Sequence, residues 1–486
     1  MKGMTIRAMT QACHGIYHGD EGAVDIEISA ITTDSRKIQK NGMFIAICGE
    51  KSDGHDYIGK CFDDGALCCI SERELPGESR PYIQVESSLT ALKQLAAYYR
   101  QQLDIKVVGI TGSVGKTSTK ETIASVLAQK YKVKKTQGNF NNEIGLPLTV
   151  FTLEESDEIA VLEMGISDFG EMTRLTAIAC PDVCVITNIG WCHLENLKTR
   201  DGILKAKTEI FKSMNPDGTV ILNGDDDKLI TIKDVYDKKP VFFGIENKCG
   251  IYAENIVNNG LEGMMAAICN VNTADNIRNF NVHIPVAGIH MVYNSMAAAA
   301  VGAVFGLTSK EIADGIANME TLAGRNHIIR TDSLLILDDC YNANPVSMKS
   351  SIDVLASSKG RKVAILGDMF ELGEEEKQLH YGVGEYFKDK NIDVLITVGE
   401  LSKNIAAGVR TVSVCDVHSY DTKDELEKDF SKLLKKGDNI LVKASHGMQF
   451  TKIVDFLEKL ELTNILRRRV FIYFREHILL KKEKSV

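Results

Sequence analysis

The chain has 486 residues, a formal net charge of −9 and 12 cysteines, and 44% of its residues are hydrophobic. This length allows about three domains, and the composition is that of a globular protein rather than a disordered chain. The negative charge argues against general nucleic-acid binding, and cysteines scattered singly or set in apolar runs argue against a disulfide framework.

The N-terminal segment, residues 1–102, alternates short strand-like runs with glycine turns. Met43–Ile47 is such a run, and Asp53-Gly54 and Asp64-Gly65 are turn pairs, so this segment predicts a mixed α/β domain. Residues 1–7 lack the apolar core of a signal peptide, and no apolar run is long enough to span a bilayer. We therefore expect a cytoplasmic protein.

A glycine-rich run follows, between an apolar strand at 107–111 and a helix predicted over 116–130. Its glycines let backbone amides turn toward anionic oxygens, and the helix N-terminus adds the positive end of its dipole. Lys116 supplies a charge, and the Thr117 hydroxyl can bind Mg²⁺. The motif predicts binding of ATP or GTP through Gly109, Thr111, Gly112, Ser113, Val114, Gly115, Lys116, Thr117 and Ser118.

The region around this motif alternates strands and helices, which predicts a mostly parallel sheet covered on both faces. The predicted strands are 107–111, 158–164, 183–189 and 219–223, and the predicted helices are 116–130, 168–179 and 201–214. The chain from 240 to 285 is more strand-like, and Tyr293–Phe305 is an alanine-rich helix. This region, 103–326, is the predicted ATP-binding domain.

Two of these strands lead into groups that bind metals. Glu163 stands at the end of strand 158–164, and His193 follows strand 183–189. Since parallel strands end at one edge of the sheet, both could complete Mg²⁺ coordination begun by Thr117. A solvated glutamate and a capping histidine are the alternatives. A zinc site of His193 with nearby cysteines is disfavoured, because closely paired ligands on turns are absent.

A second alternating block begins at Leu334 and predicts a Rossmann-like domain over 327–462. Its strand ends carry polar residues, including Asp338-Asp339 and the run from Lys443 to His446. The remaining tail, 463–486, is basic and aromatic-rich. We hypothesise a weak contact of residues 467–484 with an anionic membrane surface, with a solvated or docked extra helix as the alternative.

In their order along the chain, these motifs resemble the ATP-dependent Mur ligases of bacterial peptidoglycan synthesis, over residues 25–460. Beyond the glycine-rich run, the resemblance is carried by shorter motifs in every predicted domain. They are Asp34–Arg36, Asp53–Asp56, Thr136–Pro147, Leu162–Gly165, His193–Glu195, Ala206–Phe211, Gly288–His290, Tyr293-Asn294, Gly324-Arg325, Asp338–Pro345, Leu366–Gly373 and Lys443–Gly447.

The resemblance implies a three-domain α/β ligase that forms an amide bond. ATP would phosphorylate the terminal carboxylate of a UDP-N-acetylmuramoyl-tripeptide, and the amine of D-alanyl-D-alanine would displace the phosphate. A sister ligase that adds the third amino acid is the nearest alternative, disfavoured because the chain lacks the Asp-Asn-Pro-Arg recognition motif. A folylpolyglutamate-type ligase would carry its phosphate loop near the N-terminus. A nucleotide-switch protein would not need Glu163, His193 and Lys207 together.

The resemblance also implies residue roles in a bacterial, monomeric protein. Two Mg²⁺ ions are expected, one held by Thr117 and Glu163 and the other by His193 and a carbamylated Lys207. The catalytic residues that the resemblance implies are Lys116, Glu163, His193 and Lys207. From the residues alone, Lys207 reads as a surface lysine with a buried stem.

The implied binding residues come from all three predicted domains. The nucleotide would be contacted by His290, Asn294, Arg325 and Asp339. The substrate would be contacted by Ser35, Arg36, Asp53, Gly54, His55, Thr136, Asn139, Asn141, Asn142, Asn342 and Asn344. The chain departs from the family's Lys-Gly-Ser-Arg motif at its end, where His446 puts a titratable imidazole in place of a permanently charged guanidinium.

Overall fold

Three sheets organise the part of the chain that the computed structural model describes, residues 1–49, 52–248 and 250–460. The predicted mixed α/β architecture with a parallel-rich central sheet is confirmed. The chain divides into two compact units. The first comprises Met1–Asn255, Ala266–Val282 and Tyr293–Met319, and the second comprises Ile256–Met265, His283–Val292 and the described residues from Glu320 onward.

The N-terminal sheet has five strands in the order β1-β5-β4-β3-β2. Strand β1 is antiparallel to β5, and the other pairs are parallel. The elements are α1 (Ile6–Ala12), β1 (Ile16–His18), β2 (Ile31–Thr32), β3 (Met43–Ile45), α2 (Ile58–Asp63), β4 (Cys68–Ser71), β5 (Tyr82–Gln84) and α3 (Ser88–Gln101).

The central sheet has nine strands in the order β14-β13-β12-β11-β10-β9-β6-β8-β7, and it is parallel from β12 to β7. Its strands are β6 (Lys106–Thr111), β7 (Val133–Lys135), β8 (Ile159–Glu163), β9 (Val183–Ile186), β10 (Thr219–Asn223), β11 (Val241–Gly244), β12 (Ile251–Asn258), β13 (Met264–Cys269) and β14 (Phe280–Ile284). Its helices are α4 (Lys116–Leu127), α5 (Gly145–Val150), α6 (Glu171–Ala179), α7 (Leu194–Leu197), α8 (Arg200–Thr208), α9 (Ile289–Val304) and α10 (Ser309–Ala317).

The C-terminal sheet has six strands in the order β15-β16-β20-β17-β18-β19, parallel except for β15. Its strands are β15 (His327–Arg330), β16 (Leu334–Asp338), β17 (Lys362–Gly367), β18 (Val394–Val398), β19 (Asp416–Tyr420) and β20 (Asp438–Lys443). Its helices are α11 (Pro345–Ala356), α12 (Glu376–Glu385), α13 (Lys403–Val412), α14 (Lys423–Leu433) and α15 (Thr451–Lys459).

One continuous apolar core joins the N-terminal domain to the central sheet within the first unit. Leu95 of α3, Leu146 of α5 and Leu175 of α6 belong to it, and each is fully buried. The C-terminal sheet has its own core on each face. The N-terminal and central domains are therefore packed as one body.

The strand predicted over 183–189 ends earlier, at Ile186. Asn188 and Ile189 lie beyond the sheet, where they bind the glycine-rich loop and Asp226. The helix predicted over 201–214 ends at Thr208 and continues as a 3-10 turn, Glu209–Ser213. Strand β7 was not predicted, because this short, polar segment carries little hydrophobic alternation.

No helix in residues 1–49, 52–248 or 250–460 is long and apolar enough to cross a membrane. Residues 467–484, for which the sequence suggests a membrane contact, lie outside the described residues.

Candidate active site

The glycine-rich loop lies at a switch point of the central sheet. Strand β6 ends in the loop, the chain visits β7 and β8 on one side of β6, and it then crosses to β9 on the other side. Open parallel sheets bind ligands at such points, beyond the carboxyl ends of their strands. Gly109 and Thr111 lie within β6, and residues 112–118 form the loop and the first turn of α4.

Two glycines give the loop its shape. Gly112 has a φ of 151°, and Gly115, which precedes α4, has a φ of 80°. A β-carbon at Gly112 would lie 1.9 Å from the hydroxyl oxygen of Thr187, so the position admits only glycine. The first amides of α4 point out of the helix N-terminus, as helix geometry requires, and are directed to bind anionic oxygens.

Asn188 anchors the loop from the end of the neighbouring strand β9. The backbone N–H of Ser113 donates to the Asn188 carbonyl, and that of Val114 donates to its side-chain oxygen, each at 3.0 Å. The ammonium of Lys116 donates to the carbonyl of Gly112 at 2.8 Å. The Lys116 side chain is therefore folded over the loop.

Glu163, at the end of β8, has its two carboxylate oxygens in different surroundings. The residue is 1% exposed, and its Oε1 accepts a hydrogen bond from the amide of Asn141 at 2.9 Å. Its Oε2 is buried and has no hydrogen-bond partner among the described residues. Because unpaired buried acceptors are costly, this oxygen is a candidate ligand for a cation.

His193 lies in the segment that links β9 to α8. It has a left-handed backbone (φ 51°) and directly precedes α7. The segment is tied to the glycine-rich loop through Ser113, whose hydroxyl accepts from the Gly190 N–H at 2.8 Å and from the Cys192 thiol at 3.2 Å. These bonds join the backbone that carries His193 to the phosphate loop.

The same segment is held by hydrogen bonds to both backbone groups of Ile189. Asp226 accepts from the Ile189 N–H at 2.7 Å, and the Arg200 guanidinium donates to the Ile189 carbonyl at 2.9 Å. Neither side chain was singled out from the sequence. Their role depends on contacts between β10, α8 and this segment, which are distant in the chain.

Lys207 lies on the buried face of α8 with Ile203 and Ala206, and only 1% of it is exposed. The interpretation of Lys207 as a surface lysine is therefore wrong. Burial lowers the pKa of Lys207 to about 8. Cys192 opposes this shift, and the charge of Lys116 adds a smaller effect in the same direction as burial.

Asn294 belongs to the first unit and contacts the phosphate-loop helix. Its side-chain oxygen accepts from the Thr119 hydroxyl at 3.0 Å and would lie 3.5 Å from a β-carbon at Gly115. The structure thus brings Asn294 to the glycine-rich loop across 175 residues of sequence.

The run from Thr136 to Asn142 is divided among several roles. Thr136 is fully buried, and its hydroxyl accepts from the Glu163 N–H at 3.0 Å. Asn141 holds the Glu163 side chain, Asn142 accepts from the amides at the start of α5, and Asn139 is exposed. Thr136 and Asn141 therefore support Glu163 in the described structure.

The N-terminal residues form two capped turns. Arg36 pairs with Asp34 at 2.8 Å beside Ser35, and its side chain is 82% exposed. Asp53 caps the turn Gly54–Tyr57 by accepting from the His55 amide and ring.

These bonds stabilise ionised Asp53 and lower its pKa to about 2. A β-carbon at Gly54 would lie 2.7 Å from the backbone N and O of Ile47, so this turn also requires glycine.

In the second unit, Asp339 pairs with Lys443 at the ends of β16 and β20. The Lys443 ammonium donates to Asp339 Oδ2 at 2.5 Å and to the carbonyl of Asn342 at 3.1 Å. Asp339 Oδ1 accepts from the backbone N–H of Asn326 at 3.1 Å, and the Ser351 hydroxyl donates to Oδ2. Asp339 thus fixes the loop that follows β16.

Arg325 stacks on Tyr341, with 3.9 Å between the guanidinium carbon and the ring centroid. His446 lies on the same tyrosine, with 5.3 Å between ring centroids. His446, which departs from the family motif, therefore contacts the same tyrosine as Arg325.

The other predicted residues of this unit have local partners. His290 Nε2 lies 2.9 Å from the side-chain amide nitrogen of Asn326. Its Nδ1 is buried without a hydrogen-bond partner among the described residues, and burial lowers the pKa of the His290 ring. Asn344 caps α11 through the Ser347 amide, and Asn342 accepts from the next amide in the chain.

Three family models match the chain. They are the Mur ligase middle domain at residues 110–302, the "Mur ligase, glutamate ligase domain" at 324–446, and the Mur ligase family catalytic domain at 27–100.

Similar proteins match over nearly their whole length. The UDP-N-acetylmuramoyl-tripeptide–D-alanyl-D-alanine ligase of Bacillus subtilis is 40% identical, over 89% of this chain and 93% of the relative. A crystal structure of MurF from Acinetobacter baumannii superposes with a TM-score of 0.85 at 30% identity, covering 94% of this chain and 99% of that one. MurF ligase from Thermotoga maritima in complex with ADP superposes with a TM-score of 0.77 at 31% identity, covering 88% and 97%.

Proposed function

Because the chain belongs to the Mur ligase family, we propose that it is the ligase that adds D-alanyl-D-alanine to UDP-N-acetylmuramoyl-tripeptide. ATP is cleaved to ADP and phosphate, and the product is the UDP-linked pentapeptide of peptidoglycan synthesis. The observation that carries this proposal is the 40% identity to a ligase of that name over 89% of the chain. The phosphate loop at the sheet's switch point supports it independently.

The reaction activates a carboxylate that amines do not attack directly. The γ-phosphoryl group of ATP passes to the terminal carboxylate of the tripeptide, which gives an acyl phosphate and ADP. The amine of the dipeptide then attacks the carbonyl carbon, and the tetrahedral intermediate loses phosphate and a proton to leave the amide. Lys116 and the first amides of α4 hold the phosphates while the two anionic substrates approach each other.

Two Mg²⁺ ions belong to this proposal, and the side chains present fit them. Thr117 and Glu163 would hold one ion, and His193 with a carbamylated Lys207 would hold the other. The buried Oε2 of Glu163, which accepts no hydrogen bond from the described residues, supports the fit, because Mg²⁺ prefers oxygen ligands. When bound, the ions would neutralise charge on the phosphates and on the attacking carboxylate.

Carbamylation of Lys207 is supported by its burial. The group that adds CO₂ is the neutral amine, and a pKa of about 8 leaves an appreciable neutral fraction near pH 7.5. The carbamate converts a cation into an anion with two oxygens, the charge and atom type that Mg²⁺ binds.

The remaining predicted residues would bind nucleotide and substrate. His290, Asn294, Arg325 and Asp339 would act on the nucleotide, and Ser35, Arg36, Asp53, Gly54 and His55 on the uridine diphosphate end. Thr136, Asn139, Asn141, Asn142, Asn342 and Asn344 would line the muramoyl-peptide path or support its walls.

We further propose a cytoplasmic, monomeric bacterial enzyme, because ATP and nucleotide-linked precursors are cytoplasmic compounds. Weak contact with anionic membranes through residues 467–484 is part of this proposal. Equal binding of full-length protein and a variant ending at Leu462 to anionic vesicles would contradict that contact.

Purified protein with ATP, Mg²⁺, UDP-N-acetylmuramoyl-tripeptide and D-alanyl-D-alanine tests the function. We expect release of ADP and phosphate only when both substrates are present, and a product mass equal to the pentapeptide. Ligation of diaminopimelate or lysine to the UDP-dipeptide would instead indicate the sister ligase. Phosphate release without either substrate would indicate a nucleotide switch.

A further inference from the structure

Lys120 is a fully buried lysine one helical turn beyond the phosphate loop. Lysines are almost never fully buried without a partner, because the ammonium loses its hydration. In α4 it follows Lys116 by four residues and Thr117 by three, so helix geometry puts the three on one side of the helix. The chain thus buries a second positive charge beneath the nucleotide loop.

The contacts of Lys120 lead to Glu163 by two routes. Its ammonium donates to the carbonyl of Thr136 at 2.6 Å, and the Thr136 hydroxyl accepts from the backbone N–H of Glu163 at 3.0 Å. The ammonium also lies 3.9 Å from Glu163 Oε2 and 3.1 Å from the carboxylate of Glu121. Glu121 has another cation, Lys135, as an ion-pair partner.

We propose that Lys120 is a positioning residue that orients the carboxylate of Glu163 toward the divalent cation, a role that rests on the function proposed above. Asn141 holds Oε1, and Lys120 fixes the other side of the same carboxylate. The separation of 3.9 Å is beyond hydrogen-bond range, so Lys120 attracts Oε2 and leaves its lone pairs available to a metal. Lys120 therefore acts through Glu163 and does not itself contact the nucleotide.

A purely structural role would consist of neutralising Glu121 and filling space in the core. The two roles differ in what happens when Glu163 is also changed. If Lys120 acts through Glu163, loss of both side chains weakens cation binding no more than loss of Glu163 alone. If Lys120 only supports the core, the two losses are independent and their effects multiply.

The test is Mn²⁺ binding to the full chain with a non-hydrolysable ATP analogue, measured from the electron paramagnetic resonance signal of free Mn²⁺. We expect Lys120→Met to weaken Mn²⁺ binding about tenfold, which is typical for loss of a group that orients a metal ligand. The double variant Lys120→Met/Glu163→Gln should bind Mn²⁺ as Glu163→Gln does. Lys135→Met, which removes the other partner of Glu121, is the matched control and should bind within about twofold of wild type.

Thermal unfolding accompanies every variant, and Lys120→Gln is a second neutral variant. Lys120 serves packing alone, and the proposal is overturned, if both neutral variants unfold or if both bind Mn²⁺ like wild type. The same conclusion follows if each weakens Mn²⁺ binding of the Glu163→Gln protein by as much as it weakens binding of the wild type. Wild-type Mn²⁺ binding by Glu163→Gln would instead contradict the proposed metal role of Glu163 itself. The two failures are thus distinguishable.

Discussion

The side-chain amide of Asn141 donates a hydrogen bond to Oε1 of Glu163 at 2.9 Å, across 22 residues of sequence. The bond fixes one carboxylate oxygen, and the other accepts no hydrogen bond from the described residues. A residue expected to line the substrate path thus supports a candidate metal ligand.

Replacing Asn141 by Ala should lower kcat about tenfold, because the Glu163 carboxylate then loses the donor that fixes its rotation. Steady-state kinetics with each substrate varied in turn measures the effect. Gln137→Ala, an exposed amide in the same loop, is the control. A raised KM for the UDP-tripeptide with unchanged kcat would show that Asn141 binds substrate instead.

Lys207→Ala should reduce ligation about 100-fold or more, the scale of losing one charge contact in the transition state. Lys207→Arg should do no better, because it restores only the positive charge. In ¹³C-bicarbonate the wild type should give a carbamate carbon signal that both variants lack. A wild-type spectrum without that signal, or full activity in Lys207→Arg, would contradict carbamylation.

Gly112→Ala should abolish ATP binding measured by calorimetry, because its β-carbon would lie 1.9 Å from the Thr187 hydroxyl oxygen and its φ is 151°. Gly382→Ala is the matched control. That glycine lies inside α12, and nothing would lie within 4 Å of its β-carbon, so alanine should stabilise the protein by about 0.5–1 kcal/mol. Normal ATP binding by Gly112→Ala would mean that the loop has a different shape.

Asp226→Ala should lower the free energy of unfolding by about 1–3 kcal/mol, because the amides of Ile189, Lys228 and Leu229 lose their acceptor. Denaturant titration measures this change. The neighbouring Asp227→Ala should cost less than about 1 kcal/mol, because Asp227 forms an exposed ion pair with Arg200. Equal effects of the two substitutions would show that the bond to Ile189 contributes little.

Stability should fall as the pH decreases below about 6.5, the usual pKa of histidine. His380 is fully buried, its Nε2 accepts from the Met369 amide at 2.9 Å, and burial lowers its pKa. Between the lowered folded pKa and the unfolded one, the unfolded chain binds a proton that the folded chain does not. The free energy of unfolding therefore decreases with falling pH in that window.

His380→Gln should flatten this slope by up to about 1.4 kcal/mol per pH unit, since glutamine does not titrate. Urea titrations at several pH values between 5 and 7.5 measure it. His290, whose pKa burial also lowers, should sustain part of the slope in the variant. An unchanged slope would mean that His380 binds a proton as readily in the folded chain as in the unfolded chain.

The phosphate loop and the order of strands and helices around it were predictable because they depend on neighbours in sequence. Strand β10 was predicted residue for residue, and the first residue of α4 was also correct. Local glycines, apolar runs and helix periodicity carry this information. The positions of Glu163 and Asp339 at strand ends followed from the same patterns.

The surroundings of these residues were decided by the tertiary structure alone. Lys120 and Lys207 look like ordinary solvated lysines in sequence, yet both are fully or almost fully buried, because each lies among the buried residues of its helix. The hydrogen bonds from Asn141 to Glu163 and from the Ile189 N–H to Asp226 join segments 22 and 37 residues apart, respectively. Such contacts depend on which segments the fold brings together and on how much water it excludes, and neither quantity is a property of a local stretch of sequence.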